Sequence, residues 1–325
     1  MKLLKKIYYL RKILIFNKVI FFFRLLNYSF YDFKNYFRNS SISNSFKNPN
    51  ALKALIQIEF HRLEKGLSLR KMKKTFGKEV VNRLMYFINI YLSNFKYDQH
   101  FFSMILDGLK EYLNRTKHDQ KFHLKVKEFN NKLIKLKKLN LKTSGGTKIA
   151  NNKSYLKYAK LLQFISNRHS CRNFIKNNKK ISKRIFENAK ALASLSPSVC
   201  NRQTCNFKII EKNKISKVLK LQSGGFGFAE NANSILVIYS DLNKFDGAYE
   251  KNQPYFETGT FTLNLVYAFQ SQGLSTCYLN WCSNPKKDQE LKKIINLKKN
   301  NIIGTLLAVG YSPKEYRVAF SNKFC

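Results

Sequence analysis

A mainly helical first half, followed by a layered domain in which helices alternate with strands, is predicted by three features of this 325-residue sequence. Apolar residues recur at helical spacing in the first 150 positions, and β-branched runs of strand length begin only after position 200. Between them lies LKTSGGTKIANNKS, residues 141–154, rich in Gly, Ser, Thr and Asn and without periodicity. The expected division is therefore a helical, basic extension over 1–150 and a helix-and-sheet domain over 151–325. With 44% hydrophobic residues the chain can bury a proper core.

Each element follows from local pattern. NALKALIQIEFHRLEKG, residues 50–66, has helical spacing and is expected to stop at Gly66, a residue suited to a left-handed C-terminal position. GKEVVNRLMYFINIYLSNF is a second amphipathic segment, and Phe122 to Leu139 a third. Beyond the boundary, Tyr155–Ile165 reads as a short helix. Ile181–Leu195 reads as another, with apolar residues at 181, 185, 189, 192 and 193. FKII (207–210), SILVIYS (234–240), STCYLNW (275–281) and IIGTLLAVG (302–310) read as strands. Pro254–Gln272 is a long, mostly apolar helix, which predicts burial between other elements. Helices alternating with strands over some 170 residues indicate a sandwich-like α/β layering.

The net charge of +41 would suit nucleic acid or anionic lipid. The lysines are spread along the whole chain, though, and rise together with Asn, Ile, Phe and Tyr, as an AT-biased composition produces. Nucleic acid is not the expected partner. The first forty residues mix bulky apolar and basic side chains. Arg11, Lys12, Lys18 and Arg24 interrupt every run, so no stretch reaches the ~18 uncharged residues of a spanning helix. Peripheral contact of residues 1–40 with a membrane is an expectation of the same composition. The six cysteines form no C-x-x-C pair and do not alternate with histidines at metal-site spacing. A cytoplasmic, reducing compartment without a metal site is expected.

Two segments carry candidate chemistry. In SNRHSCRNF, Arg168, Ser170 and Arg172 fall at alternate positions after a helix, on one side of an extended chain. Forked guanidinium donors suit a phosphate. In SPSVCNRQTCNF, Pro197 and Ser198 end a helix, and Asn201 and Gln203 again sit two apart. An amide offers both donor and acceptor, as a heterocycle edge requires, although turn chemistry before a strand accounts for the same residues. GLSTCYLNWCS brings a strand end to Asn280 and Trp281, and VGYSPKEYR places Lys314 and Arg317 beyond another. The glycines of QSGGFGFAENANSILVI lack the context of a phosphate loop and read as turn residues.

In this order, Arg-x-Ser-x-Arg, then Pro-Ser-x-x-Asn-x-Gln, then Gly-Leu before a strand and Val-Gly-Tyr near the end, the segments resemble the nitroreductase-like family of FMN-binding oxidoreductases. The resemblance spans about Tyr155 to Phe320. It implies an α+β fold with a mixed sheet flanked by helices, and a homodimer with FMN at its interface. It implies that Arg168, His169, Ser170 and Arg172 hold the FMN phosphate and pyrimidine edge, and that Pro197, Ser198, Asn201 and Gln203 lie beside the ring. Leu279, Asn280 and Trp281 would pass near the flavin, and Arg317 would be a late phosphate ligand. Thr204-Cys205 departs from the Pro-Trp that commonly follows the Gln. HRLEKGLSLRKMKKTFG resembles a segment of the members with a long helical extension, a subset that accompanies surface-polysaccharide genes. Locally, Arg62, Glu64 and Lys65 are expected to form ion pairs at a helix end.

The implied activity moves electrons from NADH or NADPH to a small electron-poor, quinone- or nitro-type acceptor. The chemistry is flavin-borne and needs no side-chain nucleophile. Two other classes are weighed beside it: a flavin-binding or redox-sensing module without turnover, and, from charge alone, a polyanion-binding protein.

Overall fold

The computed structural model describes residues 2–44, 46–136, 145–150, 156–176, 180–319 and 321, with side chains described from Asn17 onward. Most of the 141–154 boundary stretch, and the last residues of the third expected helix, lie outside them.

Four helices, α3 (Pro49–Ser68), α4 (Lys78–Asn94), α5 (Gln99–Arg115) and α6 (Gln120–Leu136), share one core. Leu52, Ile56, Phe60, Leu63 and Leu67 follow one another at steps of three or four and are all buried. They meet Leu84 and Ile88 of α4, Ile105 and Leu109 of α5, and Val126 and Leu133 of α6. Asn48 caps α3 by accepting from the Asn50 N–H at 2.9 Å, ahead of Pro49 at the first helical position. Asp98 caps α5 in the same way. Helix α5, whose buried face includes Phe102, Ile105 and Leu109, is not anticipated from the sequence.

Gly66 does not end its helix; α3 continues to Ser68. The residue is glycine because the Phe76 ring occupies the space its Cβ would need. Gly66→Ala therefore overpacks the contact by about 1–3 kcal/mol, more than the ~1 kcal/mol of helix propensity it gains. Thermal denaturation followed by circular dichroism should show a lower midpoint.

Helix α1 (Lys2–Asn39) and the single turn α2 (Ser41–Asn44) pack against the sheet-bearing half of the molecule. Tyr31 Oη donates to Asp288 at 2.7 Å, Tyr36 Oη to the Gly247 carbonyl at 2.6 Å, and Ser41 Oγ to the Phe245 carbonyl at 3.0 Å. Among the described residues no helix is long and apolar enough to cross a membrane.

The second half contains α7 (Tyr158–Ser166), α8 (Lys183–Ala193), β1 (Cys205–Ile209), α9 (Ile215–Leu221), β2 (Ser234–Asp241), α10 (Gln253–Ser271), β3 (Ser275–Asn280), α11 (Pro285–Ile294) and β4 (Asn301–Gly310). The strands lie in the order β1-β2-β4-β3, each pair antiparallel. A parallel bridge between Ser170 and Thr276 joins the outer edge of β3 and makes the sheet mixed. The fold is α+β.

Alternation assigns the faces. Leu236 and Ile238 of β2, with Leu307 and Val309 of β4, meet Phe261, Leu265 and Phe269 of α10 and Ala189 and Ala193 of α8. Ile235, Val237, Leu306 and Ala308 point the other way, toward Val218 and Leu221 of α9 and Leu291 of α11. Helix α10 is not buried on all sides, as its composition predicts. It seats one face on the sheet and leaves Tyr255, Phe256 and Leu263 exposed. Helix α7 buries none of its residues, although Leu161, Leu162 and Ile165 are apolar.

Candidate functional site

The stretch leading into β1 is bent by backbone that non-glycine residues rarely adopt. Cys200, Asn201 and Gln203 have φ of 50°, 51° and 47°. Hydrogen bonds from three directions hold it there. Ser198 Oγ accepts from the Gln203 N–H at 2.9 Å. Glu257, 2% exposed within α10, accepts from the Val199 N–H at 2.8 Å and from Thr204 Oγ1 at 2.5 Å. Thr204 Oγ1 in turn accepts from Ser240 Oγ at 2.9 Å. Arg202 turns inward, its Nε donating to the Val199 carbonyl and its Nη2 to Glu250 at 2.5 Å. Lys244 Nζ donates to the Gln203 carbonyl at 2.8 Å.

Burial thus alternates along the loop. Arg202 and Thr204 are inside, and Asn201 and Gln203 are exposed with their amides 3.4 Å apart. The outward pair is the one the sequence marks. The departure at Thr204-Cys205 has a structural reason: the Thr204 hydroxyl is a buried link between Glu257 and Ser240. Arg202, Glu250 and Glu257 were not singled out from the sequence. The available signal was Glu257 itself, a lone carboxylate within the mostly apolar QPYFETGTFTLNLVYAF.

The second group lies along β3. Ser170 sits beside Thr276, and the Cys171 N–H donates to the Thr276 carbonyl at 2.9 Å. Cys171 is fully buried, so in this extended segment Arg168, Ser170 and Arg172 take the opposite side. His169 is exposed. Asn173 Nδ2 donates to the Arg317 carbonyl at 3.0 Å, which ties the final segment to the same edge. Arg168, Arg172 and Arg317 have no ion-pair partner among the described residues. Burial pushes the Tyr278 phenol up to about 12, and the positive charge of Arg168 pulls against that rise.

The end of β3 is used otherwise. Leu279 is a core residue, and Trp281 is half-buried with Nε1 donating to Asp288 at 3.1 Å. Asn280 is exposed, and its carbonyl accepts from Gln222 Nε2 at 2.9 Å. One chain therefore gathers Arg168, His169, Ser170, Arg172 and Arg317 at the β3 edge. It gathers Pro197, Ser198, Asn201 and Gln203 at the entrance to β1. It does not bring these groups together, because β1 and β3 are opposite edges of the sheet, about 14 Å apart at ~4.8 Å per strand.

Among the cysteines, Cys171 and Cys277 are buried and Cys282 is exposed. Burial pushes the Cys205 thiol up to about 11. Among the described cysteines, iodoacetamide at pH 8 should modify Cys282 first and spare Cys171, Cys205 and Cys277, as peptide mass mapping can show. Early labelling of Cys205 would contradict its burial.

The nitroreductase family model matches residues 165–226, a range that includes Arg168 to Arg172 and Pro197 to Gln203. Similar solved structures include an FMN-dependent nitroreductase from Clostridium difficile R20291, 19% identical with a TM-score of 0.41, covering 49% of this chain and 91% of its own. A nitroreductase family protein from Streptococcus pneumoniae TIGR4 is 16% identical with a TM-score of 0.41, covering 50% and 96%. A BluB-like flavoprotein from Clostridium difficile 630 is 16% identical with a TM-score of 0.42, covering 50% and 94%. No curated protein matches the chain significantly.

Proposed function

We propose that this chain, whose residues 165–226 match the nitroreductase family, is an FMN-dependent oxidoreductase that works as a homodimer. The observation that carries the reading is the row of guanidiniums without ion-pair partners, Arg168, Arg172 and Arg317, on one sheet edge within and beside the matched segment. Such cations are costly to keep close together and suit a phosphate. Arg168, Ser170, Arg172 and Arg317 would hold the FMN phosphate and its pyrimidine edge. Asn201 and Gln203 offer outward amides, each with a donor and an acceptor, to a heterocycle edge. Bound FMN would supply the electron transfer from NADH or NADPH to an electron-poor acceptor.

The chain's own residues bind, orient and polarise. Arg172 offers positive charge to the side where negative charge would accumulate on reduction. Glu257 and the Arg202–Glu250 pair keep the Asn201 and Gln203 amides facing outward. In the proposed homodimer a partner chain would present the second group to a ligand held by the first. The exposed apolar faces of α7 and α10 suit that partner, with Tyr158 76% and Phe256 63% exposed.

The test is the absorption spectrum of purified protein after incubation with FMN and desalting. Flavin bands are expected, and Arg168→Ala with Arg172→Ala should reduce FMN retention at least tenfold. Colourless protein that takes up no FMN overturns the reading. Bound FMN without NAD(P)H oxidation, across nitro and quinone acceptors, would leave a flavin-binding module in its place.

A further inference from the structure

Helix α1 carries nine basic residues and one acid, Asp32. Its body-facing side is fixed by the Tyr31 bond to Asp288 and the Tyr36 bond to the Gly247 carbonyl. On the far side Val19, Phe23, Leu26, Phe30, Phe33 and Phe37 recur at steps of four and three, which makes them one row along the helix. All six are exposed, from 47% at Val19 to 64% at Phe23 and Phe30. We infer that this row, with the basic groove beside it, docks the protein on an anionic lipid surface.

The row is ordered without a partner. The rings of Phe30 and Phe33 stack with centroids 6.4 Å apart, and those of Phe33 and Phe37 at 5.8 Å. Apolar side chains scattered singly over a surface are ordinary, whereas a continuous row marks a contact. Toward the N-terminus the apolar surface extends round the helix. Phe21 and Leu25, 65% and 51% exposed, lie off the row. A partner helix seated on the row would leave both in water. The boundary between headgroups and acyl chains covers them, while Lys18 and Arg24 reach back to the headgroups.

Charge points the same way. Lys34 and Arg38 directly follow Phe33 and Phe37, about 100° round the helix. They line a groove of about 630 Å³ together with Lys293 and Lys299. All four are exposed, and none has an ion-pair partner among the described residues. A fifth cation of the groove, Lys292, is held by Asp288 at 2.9 Å. No carboxylate lines the groove; Asp32 lines a separate cavity with Asp246 and Lys251. A second copy of α1 would bring the same excess of positive charge against this one, a repulsive pairing. Anionic headgroups supply the opposite charge, and each Lys or Arg near such a surface gains about fivefold in affinity.

The inference goes beyond the flavin reading and does not depend on it. Co-sedimentation of the full-length protein with vesicles tests it, comparing phosphatidylcholine alone with equal parts phosphatidylcholine and phosphatidylserine at about 0.15 M salt. The anionic vesicles should bind at least tenfold more tightly. Phe30→Ser with Phe33→Ser keeps every charge and should weaken that binding at least tenfold. Both rings are mostly exposed, so this variant should melt close to the wild type. Lys34→Glu with Arg38→Glu should also cost at least tenfold. Lys125→Glu with Lys132→Glu makes the same change of charge on exposed residues of α6 and should cost about threefold or less. Equal binding to neutral vesicles, wild-type binding by the Phe variant, or equal losses from the two charge reversals overturns the inference. A Phe variant that binds vesicles normally but loses a dimer in sedimentation velocity assigns the row to a second copy, which also overturns it. None of these readouts requires bound FMN, so failure here leaves the flavin reading standing.

Discussion

Arg202→Met should lower the free energy of unfolding by about 3–5 kcal/mol, the cost of breaking a buried ion pair from one side. The Arg202 side chain is 1% exposed and that of Glu250 is 9% exposed, with 2.5 Å between Nη2 and Oε1. Once the guanidinium is removed, Glu250 keeps only the Asp246 N–H at 2.8 Å among these neighbours. Its charge is then buried without compensation. The Phe245 ring, 5.6 Å from the guanidinium carbon, also loses its cation. The double variant Arg202→Met with Glu250→Leu separates the two causes. It removes both charges and their desolvation together, and it should be more stable than Arg202→Met alone. Urea unfolding of the three variants measures the difference. A single variant within about 1 kcal/mol of the wild type would show that the pair is hydrated and not buried.

The second large effect is expected at Glu257. Glu257→Ala leaves the Val199 N–H and the Thr204 hydroxyl without their acceptor, at about 1–3 kcal/mol for each orphaned group. The total is about 2–6 kcal/mol, or about 1–3 kcal/mol if Ser240 Oγ reorients to relieve Thr204. The consequence for the site should be sharper than the loss of stability. The left-handed residues Cys200, Asn201 and Gln203 are held by these bonds, and without them the backbone would relax toward common conformations. FMN retention is expected to fall as proteolytic nicking between residues 198 and 204 rises. Glu257→Gln should recover part of both, because its carbonyl can still accept from Val199. Wild-type flavin retention in Glu257→Ala would show that the loop holds its shape without α10.

Much of the fold was legible in the sequence. β2 and β4 were marked by β-branched runs, α10 by its length, and the outward amides Asn201 and Gln203 by their spacing of two. The Arg168–Ser170–Arg172 alternation was equally visible, and the buried Cys171 between them explains it. Helices α5, α9 and α11 were missed for physical reasons. Helix α9 is only seven residues long, and PKKDQELKKI of α11 buries little beyond Leu291 and the stem of Lys292. Gly66 was misassigned because its cause, the Phe76 ring ten residues later, leaves no trace in local pattern.

Periodicity and the order of motifs marked most of the elements and the residues that face outward from their own segments. These are properties of one segment and its solvent-facing or buried side. The partners of Arg202 and Thr204 and the placement of the two residue groups at opposite sheet edges depended on tertiary packing. Each depends on contacts between residues distant along the chain, such as Thr204 with Ser240 and Ser170 with Thr276. The register of such contacts depends on how whole faces fit together, and no spacing along the chain encodes it.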